Sequence, residues 1–359
     1  SALTSTQLKG LTTTQIAGLN ETDVGELAST QLAALTTTQL GALSTTNMVA
    51  LTTTQLSGLA STQVGGLSAT NLSALDETQI GSLSETQVKG LTATQLRSLN
   101  ETDFAELTTT QIGALSATQV GAISATNLSA MDETKTSGLT TTQLAGMTVT
   151  QLRGLSTTDM AEITETQIGA LTATQLGALS ATNFSELSET QMDVLSSTQL
   201  KGLTTTQLKG LTETDIGELS STQVSYLSAT QLGALAALTL MAMDETQMQA
   251  LSTTQLKGLT ATQLRSLEVT DIGELSTTQL GSLLSTQLGA LSTTVIGALT
   301  ETQVQALTTT QIPGLTVTQI DELTTTNMSA MTSTQLSAFT VTQVQSMSAE
   351  QVDIYVMNT

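Results

Sequence analysis

The 359-residue chain has no cysteine, no histidine and no tryptophan, a single proline (Pro313), and aromatic residues make up only 1% of it. Without cysteine there is no disulfide framework and no thiolate, whether as nucleophile or as metal ligand. Without histidine the side chain that most often serves as a general base near neutral pH is missing. No glycine-rich phosphate loop occurs, and so regular a sequence offers no unique pocket. Neither catalysis nor a cofactor is expected. Basic residues are scarce too: nine Lys+Arg face 30 Asp+Glu, a net charge of −21. Such a chain repels phosphate backbones and anionic lipid, so nucleic acid and membranes are not expected partners. No apolar run approaches the ~20 residues that a membrane helix needs.

What fills the chain is an eight-residue repeat: LTTTQLGA, LSTTNMVA, LTTTQLSG, LASTQVGG. With slots numbered from Leu3, slot 1 recurs once per octad to Tyr355 with no insertion or deletion, and is always Leu, Ile, Met, Phe or Tyr. Slot 6 is apolar almost throughout, Thr136 departing, while slot 4 is nearly always Thr and slot 5 mostly Gln. One long helix cannot use this pattern, because eight residues at about 100° each leave a remainder of about 80° and the apolar stripe would wander. One long strand fails as well, since odd spacings of five and three put slots 1 and 6 on opposite faces. The chain must turn once per octad.

The octad reads as one short helical turn. Slot 2 is Ser, Thr, Asn or Asp except at Ala28, Ala60, Ala236, Glu268, Leu284 and Val356, and those four types are the preferred helix N-caps. Gln at slot 5 completes a capping box, and slots 1 and 6 fall where a hydrophobic staple places its two apolar side chains. Acidic residues enter at slot 3 (Glu21, Glu85, Glu101), and all the basic residues but Lys135 sit at slot 7, as the helix dipole favours. Gly and Ala crowd slots 7 and 8, where a helix must end and neighbours pack closely. Pro313 at slot 7 has no N–H to donate, which implies a helix barely longer than one turn. The expected fold is an all-α repeat solenoid over residues 1–359, of about 45 repeats. A β-solenoid is the alternative, because Thr favours strands.

A second period lies in slot 5. Gln gives way at Asp23, Asn47, Asn71, Asp103, Asn127, Lys135, Asp159, Asn183, Asp215, Thr239, Asp271, Val295 and Asn327. Lys135 aside, these positions are three or four octads apart, and from Asn47 onward the average is three and a half. A larger unit of seven octads is visible as well: SATNLSALDETQ (68–79) returns as SATNLSAMDETK (124–135) and SATNFSELSETQ (180–191). Both periods predict a superhelical turn of three and a half octads, about 28 residues, with equivalent residues returning to one face every two turns. About 13 such turns, at the ~8–10 Å spacing of packed helices, predict a rod of roughly 100–130 Å. The chain starts directly in the repeat and ends on the apolar IYVMNT without polar caps, so either flanking domains of a longer chain or other copies are expected to cover its ends.

The candidate metal ligands are the Asp-x-x-Glu pairs Asp103/Glu106, Asp159/Glu162, Asp215/Glu218 and Asp271/Glu274, preceded by Asp23/Glu26. Two carboxylates are too few for Ca²⁺ by themselves. The plainer reading is a solvated acidic stripe answered by Arg97, Arg153, Lys209 and Arg265, each six positions upstream of an Asp. Thr pairs at slots 2 and 4 (Thr12/Thr14, Thr36/Thr38, Thr52/Thr54) are similar to the Thr-x-Thr arrays of ice-binding solenoids, which would need a flat β face. The Gln column has two readings: a ladder of stacked amides, or the simpler capping role. The many hydroxyls are candidate O-glycan sites.

The octad L-[ST]-x-T-Q-[LIV]-x-[AG] resembles the tandem L-T-x-x-Q repeats of very large secreted or surface proteins of bacteria, over essentially the whole chain. The resemblance implies an extracellular structural or adhesive role and supplies no ligand residues. The opening L-T-x-x-Q-V also resembles the start of TAL-effector repeats, from which the octad length and the charge of −21 set this chain apart. The expected function is a stalk, spacer or self-associating filament subunit at the cell surface. The alternative is a binding module presenting a Thr/Ser or acidic face to ice, glycan or mineral.

Overall fold

A computed structural model describes residues 3–359. Among them the fold is all-α, with 43 α-helices and one 3-10 turn, so the β-solenoid alternative is set aside. Helices of four to six residues follow one another octad by octad, as in Thr108-capped Thr109–Ala114 and Ser116-capped Ala117–Val120. The last helix, Ala349–Asn358, runs to ten residues. Residues Ser1–Leu179 and Ser180–Thr359 form two compact units, and the same octad construction holds inside each.

Each octad closes on itself by local hydrogen bonds. At Thr148 the hydroxyl accepts from Gln151 N at 3.2 Å and Gln151 Oε1 accepts from Thr148 N at 2.7 Å, which completes the expected capping box. Slot 2 holds an extended backbone, ψ 156° at Thr148, so the chain leaves one helix and enters the next at a sharp angle. Slot 1 donates back to slot 6, as Ile123 N does to Val120 O at 3.1 Å. At Pro313 the α-helix is replaced by the 3-10 turn Ile312–Gly314, as expected for a residue that cannot donate to the carbonyl four positions back.

The two apolar slots make the core. Slot 6 is sealed (Leu96, Val120, Leu152 and Leu264 are at most 1% exposed), and slot 1 lies just behind it. Within each unit a helix packs against the one three octads on, as Ala117–Val120 does against Thr141–Ala145 and Ser221–Tyr226 against Glu245–Ala250. Side-chain bonds from slot 5 reach back to the octad four before, as from Gln151 to Val120. One superhelical turn therefore holds three and a half octads, as the slot-5 marks predicted.

Small residues are required where turns meet. A Cβ added to Gly90 would stand 2.1 Å from the Ser61 carbonyl oxygen, and one on Gly146 would stand 2.3 Å from that of Ala117. Gly258 and Gly314 repeat the contact at 2.2 Å against Ala229 and Ser285. These glycines are not left-handed helix caps, since no glycine among the described residues has a positive φ. They let backbone meet backbone.

Candidate functional site

The slot-5 amide does more than cap. Gln151 is 3% exposed. Its Oε1 faces its own N-cap, while its Nε2 donates to Val120 O at 2.8 Å and Ile123 O at 2.7 Å, 31 and 28 residues earlier. Ile123 sits at slot 1, between two helices, where its carbonyl lies outside the helical bonding pattern. The amide of the next turn supplies the donor that this buried carbonyl needs. The same construction recurs within each unit, at Gln111, Gln143, Gln263, Gln287 and Gln343 among others. Gln is the side chain with an acceptor for the N-cap and two donors for the neighbouring turn at this reach. The amides therefore do form a ladder, but its rungs run from side chain to backbone carbonyl rather than from amide to amide.

The departures at slot 5 follow the same chemistry. Asn is one methylene shorter: Asn71 and Asn127 donate only to the slot-1 carbonyls of Leu43 and Leu99, both at 2.9 Å, and close no capping box, whereas Asn327 donates to Leu299 O and also closes its box. Thr239 donates its hydroxyl to Leu211 O at 2.8 Å. Lys135 sends its ammonium to Ala105 O at 2.7 Å. Val295 is buried and purely apolar. Asp cannot donate, and at two of the five slot-5 aspartates a hydroxyl is provided from the other side. Asp159 Oδ2 accepts from Ser129 Oγ at 2.6 Å, and Asp215 Oδ2 accepts from Ser185 Oγ. Sequence reasoning missed these serines. The signal was there, since Ser73, Ser129 and Ser185 stand at equivalent places in successive seven-octad units, each at the same distance before an Asp.

The acidic pairs sit at one helix each, Asp at its third residue and Glu at its end. The Asp oxygens serve as caps: Asp159 Oδ2 also accepts from Ser156 N at 2.5 Å, Asp215 Oδ2 from Thr212 N at 2.7 Å, and Asp271 Oδ2 from Glu268 N at 2.7 Å. Glu106, Glu162, Glu218 and Glu274 each turn Oε2 into the protein, where it has no hydrogen-bond partner, and Asp103 Oδ2 is in the same position. Burial, then the neighbouring Asp103, Glu77 and Asp76, raise the pKa of Glu106. Burial with Asp215, Glu189 and Asp193 does the same at Glu218, and burial with Asp271, Glu245 and Asp244 at Glu274. Among the described residues no group of three or more His, Cys, Asp or Glu gathers in metal-binding geometry.

The cations do not answer this stripe. Arg97, Arg153, Lys209 and Arg265 are exposed, and the one ion pair among the described residues is Lys135–Asp132 at 3.9 Å. Slot-2 hydroxyls are engaged at the caps, while slot-4 hydroxyls such as Thr38 and Thr54 face solvent. Surface hollows of about 450 to 700 Å³ lie between octads, lined by repeat residues such as Ala125, Ser129 and Gly154. No described helix is long and apolar enough to cross a membrane.

These features define a tandem-repeat protein built as a helical solenoid, with its slot-5 side chains joining one turn to another. The family described as the ALTTAQ repeat matches residues 19–53 and 280–317, one segment in each compact unit. Its name spells slots 8 to 5, and the chain differs from it only at slot 4 in Ala34-Leu-Thr-Thr-Thr-Gln39 and Ala306-Leu-Thr-Thr-Thr-Gln311. No curated protein matches the chain.

Proposed function

We propose that the chain is a structural element without catalytic activity: the stalk or spacer of a bacterial surface protein, or the subunit of an extracellular filament. The observation that carries this reading is the use of slots 2 and 5. The hydroxyl and amide that recur in most octads are engaged in closing the octad and joining turns, as at Thr148 and Gln151. The slot-4 threonines, by contrast, face solvent and would be the surface of a binding module. The resemblance to L-T-x-x-Q repeats of large secreted proteins points to the structural role, and its partners would be further copies or flanking domains.

Negative-stain electron microscopy across a concentration series separates the two structural roles. Filaments of uniform width that lengthen with concentration identify a polymer subunit, and single particles at every concentration identify a spacer. Ice recrystallisation and glycan-binding assays test the class itself. Activity in either, lost when exposed slot-4 threonines are replaced by valine, would establish the Thr/Ser binding face instead.

A further inference from the structure

The unpartnered carboxylate oxygens recur at a fixed place. Glu106 and Glu162 lie in one unit, and Glu218 and Glu274 in the other, each at slot 8 and seven octads apart; other carboxylates gather round Glu106, Glu218 and Glu274. Each has Oε2 buried without a hydrogen bond. A buried acceptor with no donor costs free energy, and a charged one costs more. The surroundings add to that cost. Glu106 faces Asp103 on its own helix and Asp76 and Glu77 on the helix Glu77–Gly81 and its cap. Glu101 shares its helix, and the helix Ala125–Ser129 packed on it carries no charge. Lys135 is the one cation nearby; it reaches Ala105 O and Asp132. Glu218 faces Asp215, Glu189 and Asp193, with Glu213 on its own helix, and Glu274 faces Asp271, Glu245 and Asp244. The helices Ala237–Met241 and Thr293–Gly297 packed on these two carry no charge.

We propose that Glu106, Glu218 and Glu274 form a proton-responsive element: each carboxyl takes up a proton on mild acidification, and the fold gains stability as it does. A proton removes the like-charge repulsion inside each cluster and turns an orphaned acceptor into a neutral group. The sign follows from the raised pKa values, each above the ordinary Glu value of 4.5. Below the unfolded-state pKa both states are protonated and folding bears no penalty. As pH rises through the folded-state pKa the half-buried carboxyl ionises, and stability is lost.

The test is the thermal midpoint of the full chain from pH 4.5 to 7.5, for wild type, for E106Q/E218Q/E274Q, and for E85Q/E350Q/D353N. The last variant removes as many charges from exposed positions. The expected result is a wild-type midpoint that rises on acidification, and a first variant that melts higher than wild type at pH 7.5 with a flatter profile. The control variant keeps the wild-type slope. Parallel profiles for all three proteins, or an equal flattening in the control, would overturn the proposal by assigning the pH response to net charge. Millimolar Ca²⁺ raising the wild-type midpoint at pH 7.5 but not that of E106Q/E218Q/E274Q would overturn it in favour of a metal site.

Discussion

A glutamine in this chain is half of a local cap and half of a long-range bond, and the two halves have separable consequences. Gln279 accepts from Ser276 N at 2.9 Å and donates to Met248 O and Leu251 O at 2.9 and 2.8 Å. Q279A leaves buried groups on both sides unpaired, at about 1–3 kcal/mol for each. Denaturant unfolding should show a loss on the order of 2–5 kcal/mol, and a loss below about 1 kcal/mol would mean that water replaces the amide. Q279D keeps an acceptor for the cap and loses the donor. Because Ser129 and Ser185 donate to the carboxylates of Asp159 and Asp215, Q249S gives the new carboxylate a donor and should partly rescue Q279D. A double-mutant cycle with a favourable coupling of about 1 kcal/mol is expected. Additive effects would show that the serine does not reach.

A helix of five residues has no stability of its own, because nucleation consumes what one turn of hydrogen bonds supplies. Its existence rests on caps and on the neighbours packed against it. The helix Ser285–Leu288 lacks a side-chain cap because Leu284 holds slot 2, 47% exposed, with only Gln287 Oε1 accepting from its N–H at 2.9 Å. L284T restores the missing half of the box, and thermal melts should show a gain of about 1 kcal/mol. Close contact between helices is the other support. G90A places a methyl 2.1 Å from Ser61 O, while G81A meets nothing within 4 Å. The first should destabilise on the scale of a forced backbone shift in a packed interior, about 1–3 kcal/mol or more. The second should be neutral or stabilising by up to about 1 kcal/mol, since alanine is the better helix former. Similar melts for the two variants would refute the backbone contact.

Across the whole chain, the hydrogen bonds that join turns within each unit span 28 to 31 residues, from Gln111 to Gln343. Contacts this short-range make stability a sum of octad and neighbour terms, as in other repeat arrays. Residues 1–179 and 180–359, each a compact unit, should therefore fold when produced separately. Each should give a helical far-UV circular dichroism spectrum and its own cooperative melt. A half that stays unfolded alone would show that its stability depends on the other.

The local level was legible because an octad is nearly self-contained. Thr148 and Gln151 lie one helical turn apart, and slots 1 and 6 declare their burial by being apolar at nearly every repeat. Helix, cap, staple and the length of the superhelical turn follow from residues within reach of one another or from their period. Three things were decided only by the superhelix: where Gln151 sends its amide, which serine completes Asp159, and which glutamates turn an oxygen inward without a donor. Each joins groups on successive turns that lie more than three octads apart in the chain. Gly90 and Gly146, which the octad alone marks as helix ends, are points of backbone contact for the same reason. Which atoms meet there depends on how far one turn rises and rotates over the last, and packing sets that, not the pattern inside any octad.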